Sequence, residues 1–230
     1  MFNRIAIAIA ILSLAACVAP RPRPVTRQVP AGAALQSLPA PGEYPIDSNG
    51  SELRLLVYRA GTLAGLGHNH VMVSRALAGR VQIGADVPAS SFSLKLRADS
   101  FVIDDAQSRQ EEGSDFPGDI AEDAKAGTRR NMLSSAVLNA DEFPDITVKS
   151  AALTGTLGDL NADLEISAAG HTSRLSVPLS VQGDAHHFTA VGSTELRQTA
   201  LGLVPYSLLH GALQVQDAMQ LKFKIAVSMN

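Results

Sequence analysis

The last stretch of the chain constrains its fold more than any other. Met219, Leu221, Phe223, Ile225, Val227 and Met229 alternate with Gln220, Lys222, Lys224 and Ser228. An extended segment with this period has one apolar side and one wet side, whereas a helix would scatter the same residues around its axis. The alternation recurs along the chain. Leu53, Leu55 and Val57 alternate with Arg54 and Leu56, and Val81 and Ile83 with Arg80 and Gln82. Phe92, Leu94, Leu96 and Ala98 stand against Ser93, Lys95 and Arg97. Further runs span Leu160 to Ile166 and Leu175 to Val181, and Phe188 with Ala190 or Val191 marks another. One-sided alternation repeated about eight times, with Gly and Asp turns between, indicates an antiparallel barrel or sandwich with one wet face.

One stretch breaks this pattern. Helical spacing is confined to residues from about Asp119 to Leu138, with Thr128 as an N-cap and Met132, Leu133, Ala136 and Val137 on one stripe. Pro144 forbids continuation and biases Phe143 toward an extended conformation. Ile146 and Val148 then alternate with Thr147 and Lys149, the period of a half-buried strand. A helix that crosses the end of a sheet and feeds back into it closes one mouth of a barrel; a connection that merely packs is the plainer reading. A single helical excursion leaves no βαβ unit, which excludes a parallel sheet in practice.

Composition removes several functions. With 230 residues, 46% of them hydrophobic, the chain can bury one substantial core. Trp is absent and aromatics make up 4%, so there is no stacking platform for bases or sugars. A net charge of −3 argues against a nucleic-acid partner. One cysteine permits neither an internal disulfide nor a structural zinc site.

That cysteine follows a leader-like segment. After Arg4, the apolar run from Ile5 to Leu14 is too short to span a bilayer and reads as the core of a signal peptide. Leu14-Ala15-Ala16-Cys17 resembles the bacterial lipoprotein box, and an ordinary cleaved signal with an incidental cysteine is the alternative. The expected organisation is a signal peptide over residues 1–16, a lipidated Cys17 opening a Pro-rich linker over 17–45, and a folded domain over 46–230. Prolines such as Pro20, Pro24, Pro30, Pro39 and Pro45 favour extended backbone in that linker, and Arg21, Arg23 and Arg27 suit anionic head groups. Val18 follows Cys17, with no Asp there to signal inner-membrane retention, so the expected place is the outer membrane, facing the periplasm.

The order of motifs carries a resemblance. SFSLKLRADSFVID (Ser91 to Asp104), the helical insertion, and then RRNMLSSAVLNADEFPDITVKSAAL are similar to the YceI-like family, with Phe143-Pro144 as its aromatic-Pro pair and Ser150 as its closing serine. ISAAGHTSRLSVPL places Gly170, Thr172 and Pro178 in register with a family strand pair, and LRQTALGL and LQVQDAMQLKFKIAV resemble its closing strands. The likeness covers about Ser51 to Val227. Three departures stand out: Leu201 occupies the place of a usual Phe, an acidic insertion runs from Gln110 to Gly127, and GLGHNHV fills residues 65–71.

The resemblance implies an eight-stranded antiparallel lipocalin-like barrel with a short helical insertion. It also implies a long apolar cavity for an isoprenoid quinone or similar polyprenyl lipid. A barrel of about eight strands is either just filled by side chains or holds one slim ligand. A prenyl tail binds by burial alone, at roughly 0.8 kcal/mol per methylene. The candidate ligand-binding residues are Leu94, Leu96, Met132, Phe143, Leu221, Phe223 and Ile225, together with His68 and His70; Met219 and Met229 would add adaptable walls. Ordinary core packing explains any one of the apolar positions equally well.

His68 and His70 follow Gly65 and Gly67 at a turn, and in an extended segment both rings point the same way. Turn capping, contact with a ligand head group, and metal binding all fit, and two histidines alone make a weak metal signal. His171 and His210, each beside a glycine, are candidates to join them. No nucleophile elbow, phosphate loop or zinc-protease motif is present, and Asp104, Asp105, Glu111 and Glu112 face no recognisable base. The reading is non-enzymatic binding or carriage of an amphipathic lipid, with no required cofactor and a membrane anchor at Cys17. The alternatives are a metal- or haem-associated redox accessory protein using His68 and His70, served by an inner-membrane redox partner, and a structural envelope lipoprotein.

Overall fold

The computed structural model describes residues 34–184 and 187–228. The strands, in chain order, are β1 (Gly42–Ala60), β2 (His70–Ser74), β3 (Ala78–Ile83), β4 (Ser91–Arg97), β5 (Val102–Ile103), β6 (Asp145–Thr156), β7 (Asp159–Ala168), β8 (His171–Gly183), β9 (His187–Arg197), β10 (Ser207–Leu208) and β11 (Leu213–Ser228). The helices α1 (Ala106–Glu111) and α2 (Glu122–Leu133) lie between β5 and β6.

Eight of these strands close a barrel. The hydrogen-bonded order is β1, β11, β9, β8, β7, β6, β4 and β3, and β3 returns to β1; every pairing is antiparallel. Closure leaves the eight main strands without a free edge. The expected architecture is therefore present, and alternation explains it strand by strand. Along β7, Leu160, Ala162, Leu164, Ile166 and Ala168 are all buried while the residues between them are not. In β9 the inward residue is Ala190, and Val191 points the other way.

β1 is longer than its sequence pattern suggests. Its register against β11 shifts between Asp47 and Glu52, a bulge that bends the strand. Ser51 patches the gap: its hydroxyl donates to the Asp47 carbonyl and accepts from the Ala226 amide. One edge of β1 thereby serves two partners, β3 through Gly42–Pro45 and β2 through Leu53–Val57. Residues 34–45 thus belong in part to the barrel and not to a tether. Leu35 is buried, its amide donates to the Val181 carbonyl, and Ala34 bridges Gln182. Cys17, the leader-like segment, most of the Pro-rich stretch and Met229 lie outside the described residues.

The helical region departs from expectation in two ways. α2 begins at Glu122, so Thr128 is interior and its hydroxyl donates back to the Ala124 carbonyl instead of capping. Glu122 and Asp123 in the first turn suit the positive end of the helix, and they place the start ahead of Thr128. A second helix, α1, was not expected; Asp105 caps it by accepting from the Ser108 amide. Together with β2 and β5 this insertion covers the outside of β1, where Leu56, Val71, Val73 and Phe116 form a small second core beside Tyr58.

Candidate functional site

The lumen is hollow. A cavity of about 430 Å³ runs inside the barrel, within the usual size of small-ligand sites. Leu94, Leu96, Met132, Leu221, Phe223 and Ile225 all line it, as do Met219, His68 and His70. The walls are apolar through the middle of the barrel, contributed by the inward positions of β1, β3, β4, β6, β7, β8, β9 and β11. Gly192 faces Phe223 across the β9–β11 pair. A Cβ there would come within 2.4 Å of the Phe223 ring, so the glycine is what lets that ring lie in the wall.

Phe143 is the exception among the candidates. It does not line the cavity; its ring sits over the β7–β8 turn, within 2.7 Å of where a Cβ on Gly170 would be. The reason is local: Pro144 starts the descent into β6, which leaves Phe143 outside the barrel end. Gly170, at φ +78°, both makes the turn and clears space for the ring.

The two ends of the lumen differ chemically. Strand directions put Ile46, Ile83, Val181, Phe188 and Val227 at one end, where Leu35, Leu38 and Pro39 of the N-terminal segment plug the opening. Val57, Met219, Leu196 and Ile146 lie at the other, under Met132 and Leu138 from α2 and the turn after it. Most polar lining groups gather at this second end, Arg59, His68, His70, Asn131, Gln198, Tyr206 and Gln214 among them, whereas Ser90 lines the first end. Around it, the loops over residues 61–69 and 198–212 expose Leu63, Leu66, Val204, Leu208 and Leu209, with Leu66 74% and Val204 71% accessible. The loops touch through the Leu63 amide, which donates to the Ala212 carbonyl at 2.7 Å. His171 and His210 lie at this same end, and His171 packs against Gly202.

His70 and His68 do not act as equals. Their rings are 6.3 Å apart, but His68 is exposed whereas His70 is anchored. His70 Nδ1 lies 2.7 Å from Asp104 Oδ2, and Asp104 is fully buried. Asp104 Oδ1 also accepts from the Val71 amide at 2.9 Å and from Arg109 Nη1 at 2.7 Å. Arg109, itself 2% exposed, donates further to the carbonyls of Asn69, Pro117 and Gly118 and lies 6.0 Å from the Phe116 ring centre. Burial alone would push the Asp104 carboxyl up. His70, the Val71 amide and Arg109 outweigh it and hold the group below the ordinary carboxylate range.

The expectation that the acidic residues lack partners is therefore corrected. Asp104 pairs with His70 and Arg109, and Asp105 caps α1. Glu111 and Glu112 meet Arg54 at 2.8 and 2.7 Å, and Glu112 also meets Lys222. Burial works against the charge on Arg54, but Glu111, Glu112 and Glu52 more than offset it and keep the guanidinium above its ordinary value. Nothing in the local pattern announced these pairs, since partners lie 34 residues apart for His70 and Asp104 and 57 for Arg54 and Glu111. The one available signal was Asp104-Asp105 at the end of a strand: one carboxylate can cap a helix while the other turns inward, helped by the left-handed backbone of Asp104 at φ +54°. Among the described residues no group of three or more His, Cys, Asp or Glu converges as a metal site.

Comparison with known proteins agrees with this architecture. The model of the YceI-like domain matches residues 44–227. The crystal structure of Burkholderia cenocepacia BcnA superposes with a TM-score of 0.59 at 14% identity, covering 79% of this chain and 98% of that one. A mutant of the Campylobacter jejuni YCEI protein superposes with a TM-score of 0.51 at 8% identity, covering 69% and 84%. At these identities the likeness is one of fold. No curated protein matches the chain by sequence.

Proposed function

The chain belongs to the YceI-like domain family, and from that premise we propose that it binds and carries an isoprenoid quinone or similar amphipathic lipid, without catalysing a reaction. The carrying observation is the hollow apolar lumen, whose charged, histidine and amide groups all lie at one end, with the Ser90 hydroxyl the one polar side chain at the other. An amphipathic molecule fits such a space in one direction, tail inward. Each buried methylene of the tail contributes roughly 0.8 kcal/mol, so the wall needs no polar anchor along its length.

In this reading the lipidated Cys17 tethers the barrel to a membrane that faces the periplasm. The exposed leucines and valine around the polar end are the entry rim. Residues 60–70 and 198–214 contain no Asp or Glu, in a chain with 22 acidic residues, so nothing on the rim repels an anionic bilayer surface. The same rim supports loading from lipid or from a partner membrane protein.

Solvent extraction of protein purified without detergent tests the proposal, and a prenyl lipid should be recovered. Phe223→Lys places an unpaired ammonium in the apolar wall, where desolvation disfavours it by several kcal/mol, and should abolish recovery. Ala190→Phe, which fills the lumen with carbon instead of charge, should reduce it while circular dichroism still reports the folded barrel. Full lipid load in both folded variants would show that this lumen is not the binding site.

A further inference from the structure

Five of the six large apolar residues that stand exposed among the described ones belong to two touching loops, over residues 61–69 and 198–212: Leu63, Leu66, Val204, Leu208 and Leu209. Neither loop contains an Asp, Glu, Lys or Arg, in a chain with 19 basic and 22 acidic residues. The backbone bends to keep the leucines outside. Leu209 and His210 take left-handed conformations, at φ +51° and +55°, ahead of Gly211 at +89°. Such backbone is uncommon outside glycine, asparagine and aspartate, and it clusters at functional sites. Leu208 lines the cavity and is also 45% accessible from outside, so one apolar surface runs from the lumen over the rim.

Resting on the lipid-carrier reading of the lumen, we infer that this rim docks on a lipid bilayer and sets its leucine and valine side chains into the head-group boundary. The loop backbone stays at head-group depth, since irregular chain finds no partners for its N–H and C=O groups in hydrocarbon. Uncharged tips enter without the desolvation cost that a Lys or Asp would bring. This chemistry fits a bilayer better than a protein partner. The centres of protein interfaces gather Tyr, Trp, Phe, Met and Arg, whereas the exposed side chains here are aliphatic. The tether allows the pose. The described chain begins at the plugged end with Ala34, 17 residues after Cys17. An extended chain of that length covers roughly 55 Å, against about 33 Å for the ten residues of β7. A barrel anchored at Cys17 can therefore turn its open end to the membrane that holds the anchor. A prenyl tail then passes between bilayer and lumen over Leu208 without crossing water.

The chain has no Trp, so single tryptophans report the pose. Leu66→Trp and Val204→Trp place one on each loop, at sites 74% and 71% accessible, and Thr156→Trp places one at the plugged end, also exposed. Each variant, as the whole chain the cell produces, is mixed with vesicles of phosphatidylethanolamine and phosphatidylglycerol, with and without brominated acyl chains. In the two rim variants the emission should shift to the blue and bromine should quench most of it, while Thr156→Trp keeps its emission. Adding Leu209→Asp to Leu66→Trp should remove most of the quenching. Quenching at Thr156→Trp alone, at all three sites equally, or at none overturns the docking inference. The vesicles hold lipid alone, so an unquenched rim excludes the bilayer as its partner. Prenyl lipid recovered by solvent extraction beside an unquenched rim leaves the carrier reading standing. A quenched rim with no lipid recovered overturns that reading and leaves the docking.

Discussion

The two ends of the barrel are closed by opposite physical means. At one, Leu35, Leu38 and Pro39 fold back as an apolar plug, and the Leu35 amide extends the sheet pairing to Val181. At the other, a buried charge network of His70, Asp104 and Arg109 stiffens the wall, and the rim carries both polar lining groups and exposed leucines. Hydrophobic closure is non-directional and excludes water whatever fills the lumen. A buried ion pair contributes little net stability against an apolar replacement, yet it fixes geometry, because each donor and acceptor must stay aligned. On the lipid-carrier proposal, the difference assigns the two ends different tasks: the apolar plug bounds the space for a tail, and the polar end faces the head.

The largest effect that would break this comparison is at the charged end. Asp104→Ala leaves Arg109 buried without a counter-charge, which should cost about 3–5 kcal/mol and lower the melting temperature by roughly 10 °C. A thermal melt like that of the wild type would show that the network does not hold this end. At the plugged end, Leu35→Ala removes buried carbon and should cost about 2–3 kcal/mol. It should weaken binding of a long-tailed prenyl alcohol, which calorimetric titration of the delipidated protein reads. Unchanged affinity would mean that the plug does not bound the space of the tail.

Acid sharpens the contrast further. The Asp104 carboxyl is held low in the folded protein, so its stabilising contribution is complete above the unfolded-state value near about 3.9. That contribution is lost as pH falls through the lower folded value. As pH falls below about 4, the charged end should therefore loosen first. The Asp104 amide, bonded to the Val71 carbonyl, should lose exchange protection before the Leu35 amide does. Simultaneous loss would assign both ends to one cooperative unit. The smallest effect belongs to His68→Ala: the residue is exposed, so stability should move by less than about 0.5 kcal/mol, as thermal melting reads. A larger loss would show that the His68 ring takes part in holding the loop over residues 61–69.

How much of this the sequence shows depends on the range over which the residues act. The strands of the barrel are written in period-2 patterns such as Leu160 to Ile166, because each strand reads its own burial locally. β2 and β5 carry no clean alternation, since Val71 and Val73 are buried beside Met72; one side feeds the lumen and the other the small second core. The plug was hidden by its prolines, which read as a tether until Leu35 and Pro39 find a lumen to cover. His70 was visible as a candidate, but its partner was not. A carboxylate in a distant insertion makes no mark on the residues around the histidine, and only the closed barrel brings the two within 2.7 Å.

The central claim is that an amphipathic lipid lies in the lumen with its head at the histidine end and its tail at the plug. Photo-crosslinking with an isoprenoid alcohol that carries a diazirine at the tail terminus tests it most directly. Peptide mapping should place the adducts on the lining residues of the plugged end, among Leu35, Leu38, Leu157 and Phe188. Adducts concentrated at the histidine end instead, within residues 59–70 or 198–214, would contradict it.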